Sequence, residues 1–284
     1  MKTITRLIVG TLLGVAGLGL GSAPAAETRP DIEALRAGTN FIPTRVFSFE
    51  EDQRLLEAFR GLRVADVTDG MDAVGLQNIG LMDPSIQPLW RNTQRFTHRF
   101  VGIAVTARYV PTQEPPAGTR SIEAYDQWAA DWYRTRSSEP FVSLIRPGTA
   151  LVIEDAPDAD VGSIGSNNIL VWKKRGCVGV VTSATARDTD EIITEKVPLY
   201  FRRPGRGIRP GRNEIESVNR PVVVGGVLVK PGDVIVADRD GVVVVPRDKA
   251  LAVASYARRI LDSDKAARRR LYKELGIPED DSVR

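Results

Sequence analysis

The stretch GVVTSATARDTDEI, residues 179–192, opens as a strand and closes as a charged turn. Gly179, Val180 and Val181 begin an apolar, β-branched run that suits a buried strand. Small residues follow from Thr182 to Ala186, and then Arg187 and Asp188 stand side by side. Upstream, TALVIEDAP (149–157) reads as a strand and DADVGSIG (158–165) as a Gly-containing loop. SNNILVWKKRG (166–176) reads as a helix closed by Gly176, and VGVVTSA (178–184) as a second strand. Strand, helix and strand at this spacing predict a parallel pair joined by a right-handed crossover, and so an α/β protein.

Ligands of parallel βαβ units gather beyond the carboxyl ends of the strands. Gly165, Ser166, Asn167 and Asn168 start the helix there, and its first N–H groups lack an intrahelical partner and favour an anion. Arg187 offers a planar guanidinium that holds a carboxylate at two points. Asp188 is the usual protein share of a Mg²⁺ site, with water and substrate oxygens completing the shell. The small residues 182–186 are expected to leave a cavity beside these groups. The plain alternative is a solvated ion pair after a strand and a glycine that only turns the chain.

Composition bounds the chemistry. With 284 residues, 42% hydrophobic and 26% charged, the chain can bury one good core with a small appendage. Lys2 and Arg6, the apolar run LIVGTLLGVAGLGL (7–20) and the small residues of SAPAA form the pattern of a secretory signal over residues 1–25. The mature protein is therefore expected in the periplasm or secreted, with no stable membrane insertion. An uncleaved anchor is the alternative, disfavoured by the length of the run. Lys2 and Arg6 are the only charges in this segment, so its removal takes the net charge from +3 to +1. No global electrostatic case for nucleic acid survives. His98 is the only histidine, which excludes a His-rich zinc site and a Ser-His-Asp triad. Cys177 has no partner for an internal disulfide and is expected to pack as a small hydrophobe.

Three regions surround the α/β unit. Residues 26–63 are a polar lead-in ending in a helix, with Ser48 and Glu51 at capping-box spacing and Gly61 as a stop. VADVTDGMDAVG (64–75) places Asp66, Thr68 and Asp69 ahead of a short helix, as caps. RFVGIAVTARYVP (99–111) is a strand. In the insert 112–140, Tyr125, Trp128, Trp132 and Tyr133 share one helical face, which implies packing on the body or a neighbouring subunit, with a substrate-covering lid as the alternative. RRPGRGIRPGR (202–212) holds five arginines and could suggest nucleic acid, but proline and glycine interrupt it and it reads as a solvated loop near the active-site mouth or a subunit contact. RPVVVGGVLVKPGDVIVADRDGVVVVP (220–246) is β-rich, with DRDG (238–241) a hairpin turn, and a charged helix ends the chain.

On VTDGMDAVG, FVGIAVTARYV, KKRGCVGVVTSATARD and PVVVGGVLVKPGDVIVADRDGVVVVP, with Arg187 placed 22 residues after Gly165, the chain resembles the RraA-like family from about Val64 onward. That family includes 4-hydroxy-4-methyl-2-oxoglutarate aldolases and the regulator of ribonuclease E activity, and some members carry an older label as dimethylmenaquinone methyltransferases. The resemblance implies an α/β/β layered domain over 64–284 with a parallel βαβ unit and a β-rich C-terminal part. It implies a Mg²⁺- or Mn²⁺-dependent lyase that cleaves a small α-keto acid through a metal-stabilised pyruvate enolate, by retro-aldol cleavage or oxaloacetate-type decarboxylation. Arg187 would grip the substrate carboxylate, Asp188 would ligate the metal, and the amides of Gly165 to Asn168 would complete the cradle. It further implies a homotrimer or dimer of trimers in which an adjacent subunit adds an acid, here Asp264, or Asp262. The usual acid after the glycine is Ser166 in this chain, and Asn167 and Asn168 replace apolar residues. Two other readings follow from those departures: a non-catalytic binding or regulatory protein, and a metal-dependent enzyme acting on a different polar organic acid.

Overall fold

A computed structural model describes residues 31–115, 118–155 and 160–284. The chain divides into two compact units, Met1–Phe41 and Ile42–Arg284. The signal segment inferred for residues 1–25 lies outside the described residues, as do residues 156–159 at the end of an expected strand and the start of the following loop. Among its described residues the first unit contributes one short helix, α1 (Ile32–Ala37), in which the N–H groups of Glu33 and Ala34 donate to the Asp31 carboxylate.

The second unit opens with α2 (Phe49–Ala58), which Ser48 and Glu51 start through the expected capping box. α3 (Val64–Ala73) begins earlier than expected, so Asp66, Thr68 and Asp69 lie within it rather than ahead of it. Asp66 caps from inside: its buried carboxylate accepts the Arg63 N–H at 2.9 Å and pairs with the Arg63 guanidinium. β1 (Gln87–Pro88) and the long β2 (Phe100–Pro111) follow, and the insert forms α4 (Ile122–Thr135) and a 3-10 turn over Pro140–Leu144. The α/β region comprises β3 (Thr149–Glu154), β4 (Gly162–Ile164), α5 (Ser166–Lys174), β5 (Cys177–Thr182) and β6 (Thr185–Ala186). It continues through α6 (Thr189–Glu195), β7 (Leu199–Phe201) and β8 (Arg203–Pro204). The C-terminal part holds β9 (Asn213–Val218), β10 (Val222–Val224), β11 (Val227–Val229), β12 (Val234–Asp238), β13 (Gly241–Val245) and α7 (Ala250–Leu275).

The main sheet runs β1-β7-β5-β3-β2-β12-β13, with β9 also on β2. β2, β3, β5 and β7 are mutually parallel, as the strand–helix–strand pattern predicts. β2 is long enough to share one edge between two antiparallel partners, β12 along Phe100–Ile103 and β9 along Ala107–Pro111. Alternation along the strands then builds three layers. Ile103, Val234 and Val243 point toward α2, α3 and α7, while Leu151, Ile153 and Val180 point on the same side toward Ile169 and Trp172 of α5. Ala150, Val152, Ile235 and Val244 face the opposite way, onto Val222, Val224 and Val229 of the β10–β11 hairpin. The arrangement is the α/β/β layering inferred from sequence.

Cys177 is buried in the helix-side layer, and burial pushes its thiol up to about 11, consistent with a packing role. Asp238 holds the DRDG turn by accepting the Asp240 N–H and also caps α3 by accepting the Val64 N–H. Two expectations change. The loop expected over 158–165 contains β4, and the strand expected to Ala184 stops at Thr182 because the chain changes sheets there. Among the described residues no helix is long and apolar enough to cross a membrane.

α3 and α7 meet at Gly70, where a Cβ would lie 2.6 Å from the Val253 carbonyl oxygen and 3.1 Å from the Ala257 nitrogen. Backbone cannot yield as a flexible side chain can, so the helices must separate to admit a methyl group. Gly70→Ala is expected to lower stability by about 1–3 kcal/mol, read as a drop in the urea midpoint at unchanged slope.

Candidate active site

The site is built where β5 leaves the main sheet. Thr182 Oγ1 donates to the Ile153 carbonyl at 2.8 Å and accepts the Ala184 N–H at 3.0 Å, which turns the chain. It re-enters as β6, the middle strand of a small parallel sheet, β4-β6-β8, where Thr185 Oγ1 donates to the Val161 carbonyl. Residues 182–186 are all buried. Their small size has a structural reason at this point of the chain. Small side chains let the strand pass between two sheets without displacing either.

The small sheet delivers both halves of the site. The Arg187 N–H donates to the Ile164 carbonyl at 2.8 Å, and the aliphatic stem of Arg187 lies across Gly162, where a Cβ would sit 2.6 Å from the Arg187 Cβ. Asp188 takes a left-handed conformation, φ 55° and ψ 40°, which few non-glycine residues adopt and which aspartate tolerates better than most. That turn directs its Oδ2 to the N-terminus of α5, where it accepts the Ser166 N–H at 3.1 Å with the Ser166 hydroxyl 3.5 Å away. Gly165 makes this approach feasible, since a Cβ there would lie 2.8 Å from Asp188 Oδ2.

Arg187 and Asp188 are each a little over one-third exposed, and the Arg187 Nε stands 3.9 Å from Asp188 Oδ1. A contact of that length, half in water, holds neither group tightly. Among the described residues no hydrogen bond engages the Arg187 guanidinium, which leaves its donors open to an anion. Asp188 has one oxygen committed to the Ser166 amide and the other only loosely matched. Those donors suit a hard cation that keeps most of its water and takes a single carboxylate from the protein. No group of three or more His, Cys, Asp or Glu side chains able to hold a metal occurs among the described residues.

The remaining expected site residues divide. Ser166 borders Asp188, and Asn167 is exposed beside it. Asn168 is committed inward, its amide donating to Glu139 Oε1 at 2.7 Å. Asp264 sits on α7 within its own chain's ion pairs, 2.9 Å from the Arg63 guanidinium and 3.9 Å from that of Arg268. Asp262 is exposed on the same helix.

Glu139 and Arg209 escaped the sequence reading, yet they anchor the site from behind. Arg209, expected in a solvated loop, is only 2% exposed. Its Nη2 pairs with Glu139 Oε1 at 2.6 Å, its Nε donates to the Ser163 carbonyl at 2.9 Å, and its Nη1 donates to Tyr109 Oη and the Ser137 carbonyl, each at 3.2 Å. Glu139 also accepts the Trp172 indole N–H at 3.0 Å. Burial alone disfavours the Arg209 charge, but the paired Glu139 carboxylate raises its pKa above the ordinary value. Burial likewise holds the Tyr109 phenol well above its usual range, so it stays neutral. Asn213 completes the cluster, donating to Asp155 Oδ2 at 2.9 Å and, through its carbonyl, accepting the Trp132 indole N–H at 3.0 Å. The aromatic helix α4 is thereby fixed to the body by Trp132, while Tyr125 and Tyr133 face outward.

A family model described as RraA-like: Aldolase/RraA matches residues 64–244, well over half of the chain, and the protein belongs to that family. A putative 4-hydroxy-4-methyl-2-oxoglutarate aldolase of Halalkalibacterium halodurans is 31% identical over 124 residues, 43% of this chain and 58% of that protein. Protein DlpA of Legionella pneumophila is 24% identical over 203 residues, 71% of this chain and 29% of that one. The chain thus spans less than two thirds of the length of these curated relatives. Among solved structures, Streptomyces coelicolor RraAS2, described as an unusual member of the RNase ES inhibitor RraA protein family, superposes with a TM-score of 0.60 at 23% identity. That match covers 80% of this chain and 99% of the other, and it shows a shared fold.

Removing one member of the buried pair leaves the other charge unanswered. Arg209→Met is expected to cost about 3–5 kcal/mol, measured by urea denaturation, and pairing it with Glu139→Gln should recover part of that loss.

Proposed function

We propose that this protein is a divalent-metal-dependent lyase of small α-keto acids, releasing pyruvate by retro-aldol cleavage of a 4-hydroxy-4-methyl-2-oxoglutarate type of substrate or by decarboxylation of oxaloacetate. The observation that carries this reading is the left-handed turn at Asp188, which sets its carboxylate on the α5 N-terminus beside an uncommitted guanidinium. Membership in a family with relatives named as aldolases supports it.

In this reading Arg187 binds the substrate carboxylate and fixes the plane of the keto acid. Asp188, oriented by the Ser166 N–H, would hold Mg²⁺ or Mn²⁺. A cation there supplies, when bound, electrophilic stabilisation of the negative charge that develops on the keto oxygen. The free N–H groups at the start of α5 add a positive end to the same region. The amino-terminal sequence supports export, and Asp264 or Asp262 of a neighbouring subunit in a trimer remains the proposed further acid. A second reading, a non-catalytic binding protein of this family, is favoured by Ser166, which offers a hydroxyl where related aldolases are expected to carry an acid.

Two tests separate them. Pyruvate release from at least one of the two substrates should require Mg²⁺, stop in EDTA, and fall by about 10²–10³ in Arg187→Ala. Release no faster than in a metal-only blank, from folded protein, would reject the lyase reading. Gly165→Ala should displace the Asp188 side chain rather than backbone, weakening Mn²⁺ binding about tenfold by paramagnetic titration. Its Tm should shift by no more than about 2 °C.

A further inference from the structure

A cavity of about 580 Å³ opens at the end of the main sheet opposite Arg187 and Asp188. It is bordered by Phe100 at the start of β2, Gly148 just before β3 and Val178 near the start of β5. These are the amino ends of the parallel strands, whereas Arg187 and Asp188 follow the carboxyl end of β5.

Six cationic side chains line this cavity: Arg60, Arg63, Arg95, Arg99, Lys265 and Arg268, against one carboxylate, Asp281. Several are already answered. Arg63 pairs with Asp66 and Asp264, Arg60 with Glu57, and Arg268 loosely with Asp264. Lys265 donates to the Arg284 main-chain oxygen. Arg95 and Arg99 differ: among the described residues no carboxylate lies within ion-pair distance of either. Arg99 is half-buried, its guanidinium stacks 3.8 Å from the Phe96 ring centroid, and its Nε is shielded from solvent without a hydrogen-bond partner. Burial pulls the Arg99 pKa below its ordinary value, with the more distant Asp238 carboxylate opposing this and the Arg63 charge adding to it. The loop that presents these groups is held in an unusual shape. Phe96 has φ 53°, and the Asn92 side chain accepts the N–H groups of Gln94 and Arg95.

A partly desolvated, unpaired cation costs stability that an incoming anion would return. Phe96, Phe100, Leu62 and Leu261 give the walls an apolar character suited to the body of an organic molecule. We infer that this cavity is a binding site for a small organic anion whose oxyanion group, carboxylate or phosphate, is held by Arg95 and Arg99. The inference is independent of the lyase reading, because it uses neither Arg187 nor Asp188.

Calorimetric titration of the full chain with pyrophosphate and with citrate tests it. At least one should bind with a Kd below about 1 mM, and the tighter of the two identifies the head group as phosphate or carboxylate. Arg95→Ala, at an exposed residue whose side chain makes no hydrogen bond among the described residues, and Arg99→Gln should each weaken that binding by about tenfold or more. Arg187→Ala should leave it unchanged. Absence of binding by both anions would overturn the proposal, as would binding that Arg187→Ala abolishes and folded Arg95→Ala and Arg99→Gln retain.

Discussion

A single buried guanidinium, that of Arg209, joins the parts on which the candidate site rests. It reaches β4 through the Ser163 carbonyl, β2 through Tyr109, the end of the insert through Ser137, and α5 through Glu139. Such a charge is tolerable in the interior only because every direction it faces holds an acceptor. Remove that constraint and β4 loses its tie to β2, while Asn168 and Trp172 share an acid with no countercharge. The small sheet that carries Arg187 would then keep only its uncharged backing, through the bonds of Ser163 to Asp155 and Asn213.

Two scales of precision follow from this. The frame behind the site is fixed by buried, fully partnered polar groups. The front is fixed by contacts at single points: a main-chain bond from Arg187 to Ile164, an arginine stem over Gly162, a carboxylate on one amide beside Gly165. Both glycines act by leaving out a methyl group rather than by adopting a special φ.

The sequence made the site's front legible because its signals are local. A β-branched run before Arg187, a glycine before a polar helix start and a 3.6-residue apolar period each act over a few residues, and the parallel βαβ unit appears where they place it. The start of α3 was displaced by several residues because Asp66 caps from the third helical position, a role that resembles capping from outside when only residue types are seen. β4, β6 and β8 have two or three residues each, too short to show alternation, so the sheet change that explains residues 182–186 had no pattern to read. The pairing of Arg209 with Glu139 joins residues far apart in sequence. In RRPGRGIRPGR one arginine is buried and others are not, and nothing local distinguishes it.

The start of α5 also bears on how this family changes chemistry. Asn168 is bound into the rear network through Glu139, whereas Ser166 and Asn167 touch only the front of the site. Variation at 166 and 167 is therefore uncoupled from folding, while variation at 168 is not. A side chain exchanged at the first of these positions therefore alters what the site presents while leaving the buried network behind it intact.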